Sequence, residues 1–457
     1  MRLFVNILIW LVMTIEVQGQ IFSGLWSTPY TPISTIFFTP IAHIFPWDAL
    51  VLIAWAATRK GGTSNIPAVG RSLMICGLAL AGCTIWGVLN GGSLYQVIFQ
   101  LRAIVLSLFL AAVVANVYRT QEDMVSLGRT LAIAIVYRSF TAIGFWFYVA
   151  RHMAEPPIAM TEHTDTVVFV VGLFLFVVNA LERRTTKSIA IAALASVPIL
   201  GAIVVNNRRL AWLAVGVAFV LMYLLLPKGK LRTRINRFAF AMSPLIVIYI
   251  AVGWGHPTGI FKPVGSISTM FGEHQDTSSL MRDIENYNLL KTLKWNPVLG
   301  MGFGKEYIEE IKAFDISFFV QYRYLPHNSL LGAIAFSGMI GFAGLWLMVL
   351  VATYLHTLTY RSTRLPVPRI ASMCGVIAVL VIELQMWGDI GFNSITVCAM
   401  LAIVVGLSAR LPVMTGVWSG AATASPPQAA TPPPAVAPRL ARISPAVGGR
   451  NRPRARR

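Results

Sequence analysis

The feature that most limits what this chain can fold into is a succession of apolar runs, many of them nearly long enough to cross a bilayer. They fall at about 3–18, 44–58, 72–89, 100–117, 129–149, 166–181, 188–205, 210–226, 238–253, 328–356, 370–388 and 392–409. An α-helix rises 1.5 Å per residue, so about 20 apolar residues span a hydrocarbon core roughly 30 Å thick. Lipid offers the backbone no hydrogen-bond partners, which makes helices the natural form of such runs. Composition points the same way: 12% of residues are charged, against about 25% in soluble domains, and 56% are hydrophobic. The sequence therefore predicts an all-α polytopic membrane protein of about twelve transmembrane helices. The second is the least regular, because it follows a Pro- and Phe-rich stretch, 29–46, that reads as re-entrant or interfacial.

Charge in the connections orients the helices. One alternate set is basic: Arg2; Arg59, Lys60 and Arg71; Arg119 and Arg129; Arg183, Arg184 and Lys187; Lys228 to Arg237; Arg361, Arg364 and Arg369; and the C-terminal segment. The other set, 19–43, 90–99, 150–165 and 389–391, is poor in Lys and Arg. The positive-inside rule then places both termini in the cytoplasm. The opening MRLFVNILIWLVMTIEV also has the form of a signal peptide, but its removal would break this alternation, so an uncleaved first helix is expected. The net charge of +19 sits mostly on the cytoplasmic side, against anionic membrane lipid, and no basic-aromatic strip suits a nucleic acid.

Two segments break the pattern of short connections. Residues 254–326 form one large outward, periplasmic loop between the ninth and tenth helices, with eight of the 18 acidic residues and seven basic ones. Within it, Asp276-Thr-Ser-Ser279 can cap a helix running to about Lys294, Pro297 and the glycines up to Gly304 end that helix, and a second short helix fits 305–315. Residues 410–457, rich in Pro and Ala with eight arginines and no acid, read as a disordered cytoplasmic tail. The organisation expected is thus helices one to nine in 1–253, the loop in 254–326, helices ten to twelve in 327–409, and the tail.

Several function classes find no support. The four cysteines lie in apolar runs, where packing explains them, and no His, Cys or Asp cluster has metal-ligand spacing. There is no Gly-rich phosphate loop with Lys-Ser/Thr, and Gly300-Met-Gly-Phe-Gly304 follows a helix, so it reads as a turn. No cofactor is implied.

The residues that invite chemistry cluster at the outer ends of helices. Arg208 and Arg209 sit in Asn206-Asn-Arg-Arg-Leu-Ala-Trp212, where two helices are joined by almost no loop and positive charge is disfavoured. Paired guanidiniums there suit a phosphate, although a snorkelling pair is the structural alternative. Arg282 lies on the loop helix beside Asp283 and Glu285, where an ordinary i,i+3 ion pair is the plain reading. His327, in Tyr324-Leu-Pro-His-Asn-Ser-Leu-Leu331, stands where the loop returns to the membrane; it suits deprotonation of an acceptor hydroxyl or a simple interfacial hydrogen bond, with Asn328 available to orient it. Glu273, Asp276, Asp283 and Glu285 are alternative bases. Arg138, Glu383 and, nearer a helix end, Arg102 lie within spans, as a structural pair or the wall of a polar cavity.

Taken together, these segments resemble the O-antigen ligase and O-antigen (exopolysaccharide) polymerase family of bacterial inner-membrane proteins. Three stretches carry the resemblance: Asn207-Arg-Arg-Leu-Ala-Trp212; Arg282 with its helix, then Trp295-Asn-Pro-Val-Leu-Gly-Met-Gly-Phe-Gly304; and His327-Asn-Ser-Leu-Leu331 followed by Gly338 and Gly341. The family has Ser where Asn207 stands and lacks the second arginine, so the register falls on Arg208 or Arg209. The resemblance implies a metal-independent glycosyltransferase of the bacterial inner membrane. Its donor would be a glycan on undecaprenyl pyrophosphate, and its acceptor lipid A-core or another glycan. Arg209, Arg282 and His327 are then the expected catalytic residues, with Arg208 sharing the pyrophosphate. The competing reading is a transporter or flippase of polyprenyl-linked sugars, which also needs many helices and buried charge.

Overall fold

A computed structural model describes residues 1–15, 33–41, 44–59, 65–155, 157, 159–256, 259–268, 277–312 and 321–418. Among them the regular structure is helical, with one isolated bridge between Ile41 and Ile44. The helices are α1 (Arg2–Met13), α2 (Pro46–Thr58), α3 (Pro67–Leu89), α4 (Leu94–Val117), α5 (Gln121–Tyr148), α6 (Asp165–Arg183), α7 (Thr186–Asn206) and α8 (Arg209–Leu225). They continue with α9 (Lys230–Gly253), α10 (Lys262–Ser268), α11 (Thr277–Trp295), α12 (Ser329–Ser362), α13 (Pro366–Gly388), α14 (Ile395–Ser408) and α15 (Leu411–Met414).

Nine helices among the described residues are long and apolar enough to cross a membrane, and α1, α2 and α8 are shorter apolar helices. Of the twelve expected runs, nine form helices of spanning length, and the other three form helices shorter than that. Local chemistry sets the boundaries. Pro occupies the first turn of α2, α3 and α13, where its missing N–H costs nothing. Thr120 with Asp123 and Thr185 with Ser188 form reciprocal capping boxes at the starts of α5 and α7. The most buried span is the one containing α14, which packs on α4, whereas α9 buries none of its apolar window and leaves its faces to the bilayer. α1 belongs to the core: Val5, Ile9 and Val12 are fully buried, and the Trp47 indole donates to the Leu8 carbonyl at 3.0 Å.

The glycine turn after α11 locks the long connection into the bundle. Gly338 interrupts α12 with φ +62°, a backbone that L side chains avoid, and so breaks two helical hydrogen bonds. The freed carbonyls of Ala335 and Phe336 accept the N–H groups of Met301 and Gly302, at 3.0 and 2.8 Å. In exchange, the freed N–H groups of Met339 and Ile340 donate to the carbonyls of Pro297 and Val298. Every backbone group released by the kink finds a partner in the turn, as burial demands. On its other side Gly302 lies against Gly87 of α3, where an added Cβ would meet the Gly87 Cα at 2.2 Å.

Two expectations need correction. Residues 305–312 are not helical. The N–H of Ile308 donates to the Thr292 hydroxyl, and those of Glu310 and Ile311 to the Asn288 side chain, so α11 takes the donors a second helix would have used. The presumed tail also starts later than 410: α15 follows Arg410, whose Nε donates to the Ala115 carbonyl at 2.6 Å, and Leu411 is fully buried. The tail beyond 418, Glu273 and Asp276 lie outside the described residues, as do residues 29–32, 42 and 43 of the Pro- and Phe-rich stretch.

Candidate active site

The arginine pair sits in a reversal of the chain built from two residues. α7 closes with Asn207 in the left-handed region (φ 53°), a conformation Asn tolerates better than most residues. Arg208 is then extended and caps α8, so the two helices meet with no loop to shield the guanidinium. Beside it Asn206, fully buried, accepts a 2.7 Å hydrogen bond from Thr161 and ties the reversal to the connection before α6. The Nε of Arg208 is buried with no hydrogen-bond partner. Burial holds its pKa below the usual guanidinium range; Asp389, Glu162 and Asp165 oppose this, and Arg282 adds to it. Arg209 opens α8 and is half-buried.

Asp389, the residue that caps α13, is the centre on which other segments converge. It is 4% exposed. One carboxylate oxygen meets the His163 Nδ1 and lies 3.6 Å from Arg282 Nη2, while the other accepts the Ile390 N–H at 2.7 Å. Burial alone would raise its pKa, but the His163 hydrogen bond and the positive charge around it, Arg282 included, hold it at about 2. With two guanidiniums alongside, the carboxylate is the member of the pair that stays charged. Neighbouring Glu162 is pushed up to about 7 by burial first and by the charge of Asp165 second. The group thus joins the α5–α6 connection, the α7–α8 reversal, α11 and the end of α13.

α11 carries a second element of the same site. Arg282, Glu285 and Asn286 share one of its faces, three and four residues apart. Glu285 is buried and accepts both the backbone N–H of His327 at 2.9 Å and a contact from its Nδ1 at 3.3 Å. A carboxylate there favours the tautomer with the proton on Nδ1 and leaves Nε2 with its lone pair. Burial would lower the His327 pKa, but the hydrogen bond and charge of Glu285, aided by Asp389, raise it above the ordinary value. Asn328 accepts the Leu331 N–H as the cap of α12 and donates to Asn286 at 3.0 Å. Glu285, and not Asn328, therefore orients the imidazole, and Arg282 forms its ion pair with Asp389 rather than within its own helix.

The intramembrane charges are paired elsewhere. Arg138 and Glu383 do not face each other: Arg138 forks onto Asp165 at 2.8 Å, both side chains 3% exposed, while Glu383 accepts the Trp346 indole at 2.9 Å. Arg102 does not snorkel; it grips Asp48 at 2.6 and 2.8 Å and lies over the Phe45 ring. Asp283 is exposed. Sequence reasoning missed Glu162, His163, Asp165 and Asp389. The available signal was Glu162-His-Thr-Asp165 placed directly before an apolar run, and a lone acid in the short connection after α13.

Among the described residues no three His, Cys, Asp or Glu side chains are arranged to hold a metal ion. Comparison with curated proteins gives no match. The family model described as O-antigen ligase matches residues 194–346, a span that begins in α7, ends in α12 and takes in Arg208, Arg282 and His327. Over that span, a third of its length, this membrane-embedded chain is similar to the O-antigen ligase family.

Proposed function

We propose that this protein transfers or polymerises a glycan from undecaprenyl pyrophosphate onto lipid A-core or a glycan acceptor at the periplasmic face of the inner membrane. One observation carries the reading: Arg282 is paired with Asp389, whose charge also acts on the buried Arg208 from a separate segment, beside the His327–Glu285 pair. One acid shared between two guanidiniums leaves positive charge for an incoming anion, and each guanidinium can fork onto phosphate oxygens. The match to the O-antigen ligase family supports a glycan-joining reaction in particular.

In this mechanism the acceptor hydroxyl attacks the anomeric carbon of the donor glycan. The new glycosidic C–O bond forms as the bond to pyrophosphate breaks, and undecaprenyl pyrophosphate leaves. His327 Nε2 takes the hydroxyl proton, and Glu285 stabilises the resulting imidazolium. Arg208 and Arg282 stabilise charge growing on the leaving pyrophosphate, with Asp389 and His163 holding Arg282 in place. Arg209, one residue further on, borders the same phosphate region.

The test compares a deletion strain of the native host with strains expressing wild type, Arg208→Ala or His327→Ala at matched membrane levels. Loss of lipid A-linked glycan with long chains left on the carrier identifies a ligase. Short unpolymerised units with intact lipid A-core identify a polymerase. Removing a general base costs about 10²–10⁴-fold, so full activity in both variants overturns the assignment.

A further inference from the structure

The candidate active site lies at one end of the bundle, and a second feature lies at the other. α6, 19 residues and so roughly 28 Å long, runs from Asp165, next to the site, to Arg183. There α5, α6, α7, α13 and α14 enclose a cavity of about 470 Å³. Ligand-holding cavities run to about 300–1,000 Å³. Its interior is apolar, with Leu131, Ile135, Phe176 and Ile403 among its walls, and its charged lining consists of Arg129, Arg183 and Lys187 with no carboxylate.

These three cations lie exposed at the rim of the cavity. Arg369 is forked onto Glu182 and Arg2 is paired with Asp123, whereas Arg129, Arg183 and Lys187 form no ion pair among the described residues. Arg183 donates only to the neutral Asn179 side chain, at 2.9 Å. At Arg129, Val125 and Val367 the cavity adjoins a more polar hollow of about 420 Å³, lined also by Arg2, Gln121, Ser126 and one carboxylate, Glu122. An added Cβ on Gly128, which lines the cavity, would meet nothing within 4 Å. A positive-inside bias accounts for cations at this end, but not for an apolar cavity beneath them.

We propose that this cavity binds an anionic phospholipid of the leaflet opposite the active site. One acyl chain enters between the helices, and the phosphate sits among Arg129, Arg183 and Lys187. Basic pockets between transmembrane helices suit such headgroups. The adjoining polar hollow gives room for a headgroup larger than a bare phosphate, which favours a phospholipid over a polyprenyl phosphate. The site is independent of the glycan-transfer reading.

The experiment uses the purified full-length chain in detergent, with phosphatidylglycerol, phosphatidylcholine or undecaprenyl phosphate as the added lipid. Retained lipid is read by native mass spectrometry and stability by thermal unfolding. Wild type is compared with the triple variant Arg129→Gln/Arg183→Gln/Lys187→Gln and with Gly128→Leu, which fills the cavity and favours helix. Phosphatidylglycerol is expected to stay on wild type and raise its melting temperature. Its retention should fall on the order of a hundredfold in the triple variant, from three headgroup contacts, and should fall in Gly128→Leu as well. Unchanged melting in phosphatidylcholine shows that both variants are folded. Equal retention by all three proteins, or preferential retention of undecaprenyl phosphate, overturns the proposal.

Discussion

Arg138 and Arg208 stand at the same end of the bundle in opposite circumstances. Arg138 has a carboxylate of its own: Asp165 takes both Nε and Nη2, and neither side chain is more than 3% exposed. Arg208 feels the charge of Asp389, which is already paired with His163 and Arg282, and its Nε has no hydrogen-bond partner. A one-to-one pair balances its own charge within the protein and acts on stability. A shared carboxylate leaves guanidinium donors for which the protein supplies no acceptor, at a cost in desolvation that a bound anion would offset. In the proposed reading, the difference separates an arginine that holds helices together from one left to bind phosphate, although the residue type is the same.

The largest effect that tests this contrast belongs to the closed pair. Arg138→Ala strands a buried Asp165, and breaking such a pair costs about 3–5 kcal/mol. Its melting temperature should fall sharply, and its activity only as far as folded protein is lost. Next come Arg208→Ala and Arg282→Ala, which should each lower turnover by about 10²–10³-fold, the loss typical of a single anion-stabilising donor, with little change in melting temperature. Arg209→Ala should cost much less, because successive helical residues point about 100° apart and it is Arg208 that stands beside Asp389. Turnover assays set against thermal unfolding decide the matter. If Arg208→Ala were the destabilised protein and Arg138→Ala the inactive one, the contrast would be inverted.

Much of the helical frame was legible because the bilayer enforces it: long apolar runs and the α11 helix follow from local rules. The parts of the candidate site that sequence reasoning singled out were those with an unusual local setting, namely two arginines at a tight turn and a histidine at the start of α12. Asp389 left only a faint local signal, a lone acid in a short connection after an apolar run. Its meaning comes from His163, 226 positions away, and Arg282, 107 positions away, being brought to it by packing. Residues 305–312 misled for a similar reason: the side chains that take their N–H donors lie on α11, and no window along the segment contains them. The exchange of hydrogen bonds between the glycine turn and the kink at Gly338 was half visible, as glycines whose spacing implied turns but not what they pack against.

The finest test concerns Glu285, which supports His327 without being expected to touch the pyrophosphate. If His327 is the base, it acts unprotonated, so the rate rises with pH through its pKa. That pKa lies above the ordinary imidazole value because Glu285, with Asp389 behind it, favours the imidazolium against burial and Arg282. Glu285→Gln keeps the volume and one acceptor for the His327 backbone N–H but removes the charge. The rising limb of the pH–rate profile should therefore move to lower pH, with turnover at the plateau reduced only a few-fold. Stability carries the same sign. A histidine whose pKa is raised on folding adds stability below its unfolded pKa and loses it as pH climbs through the folded value. Wild type should thus exceed Glu285→Gln in melting temperature most in mildly acidic buffer and least in alkaline buffer. A pH–rate limb that stays in place in Glu285→Gln, with the stability difference flat across pH, would detach Glu285 from His327 and leave the loop-helix arginine as the only functional group on α11.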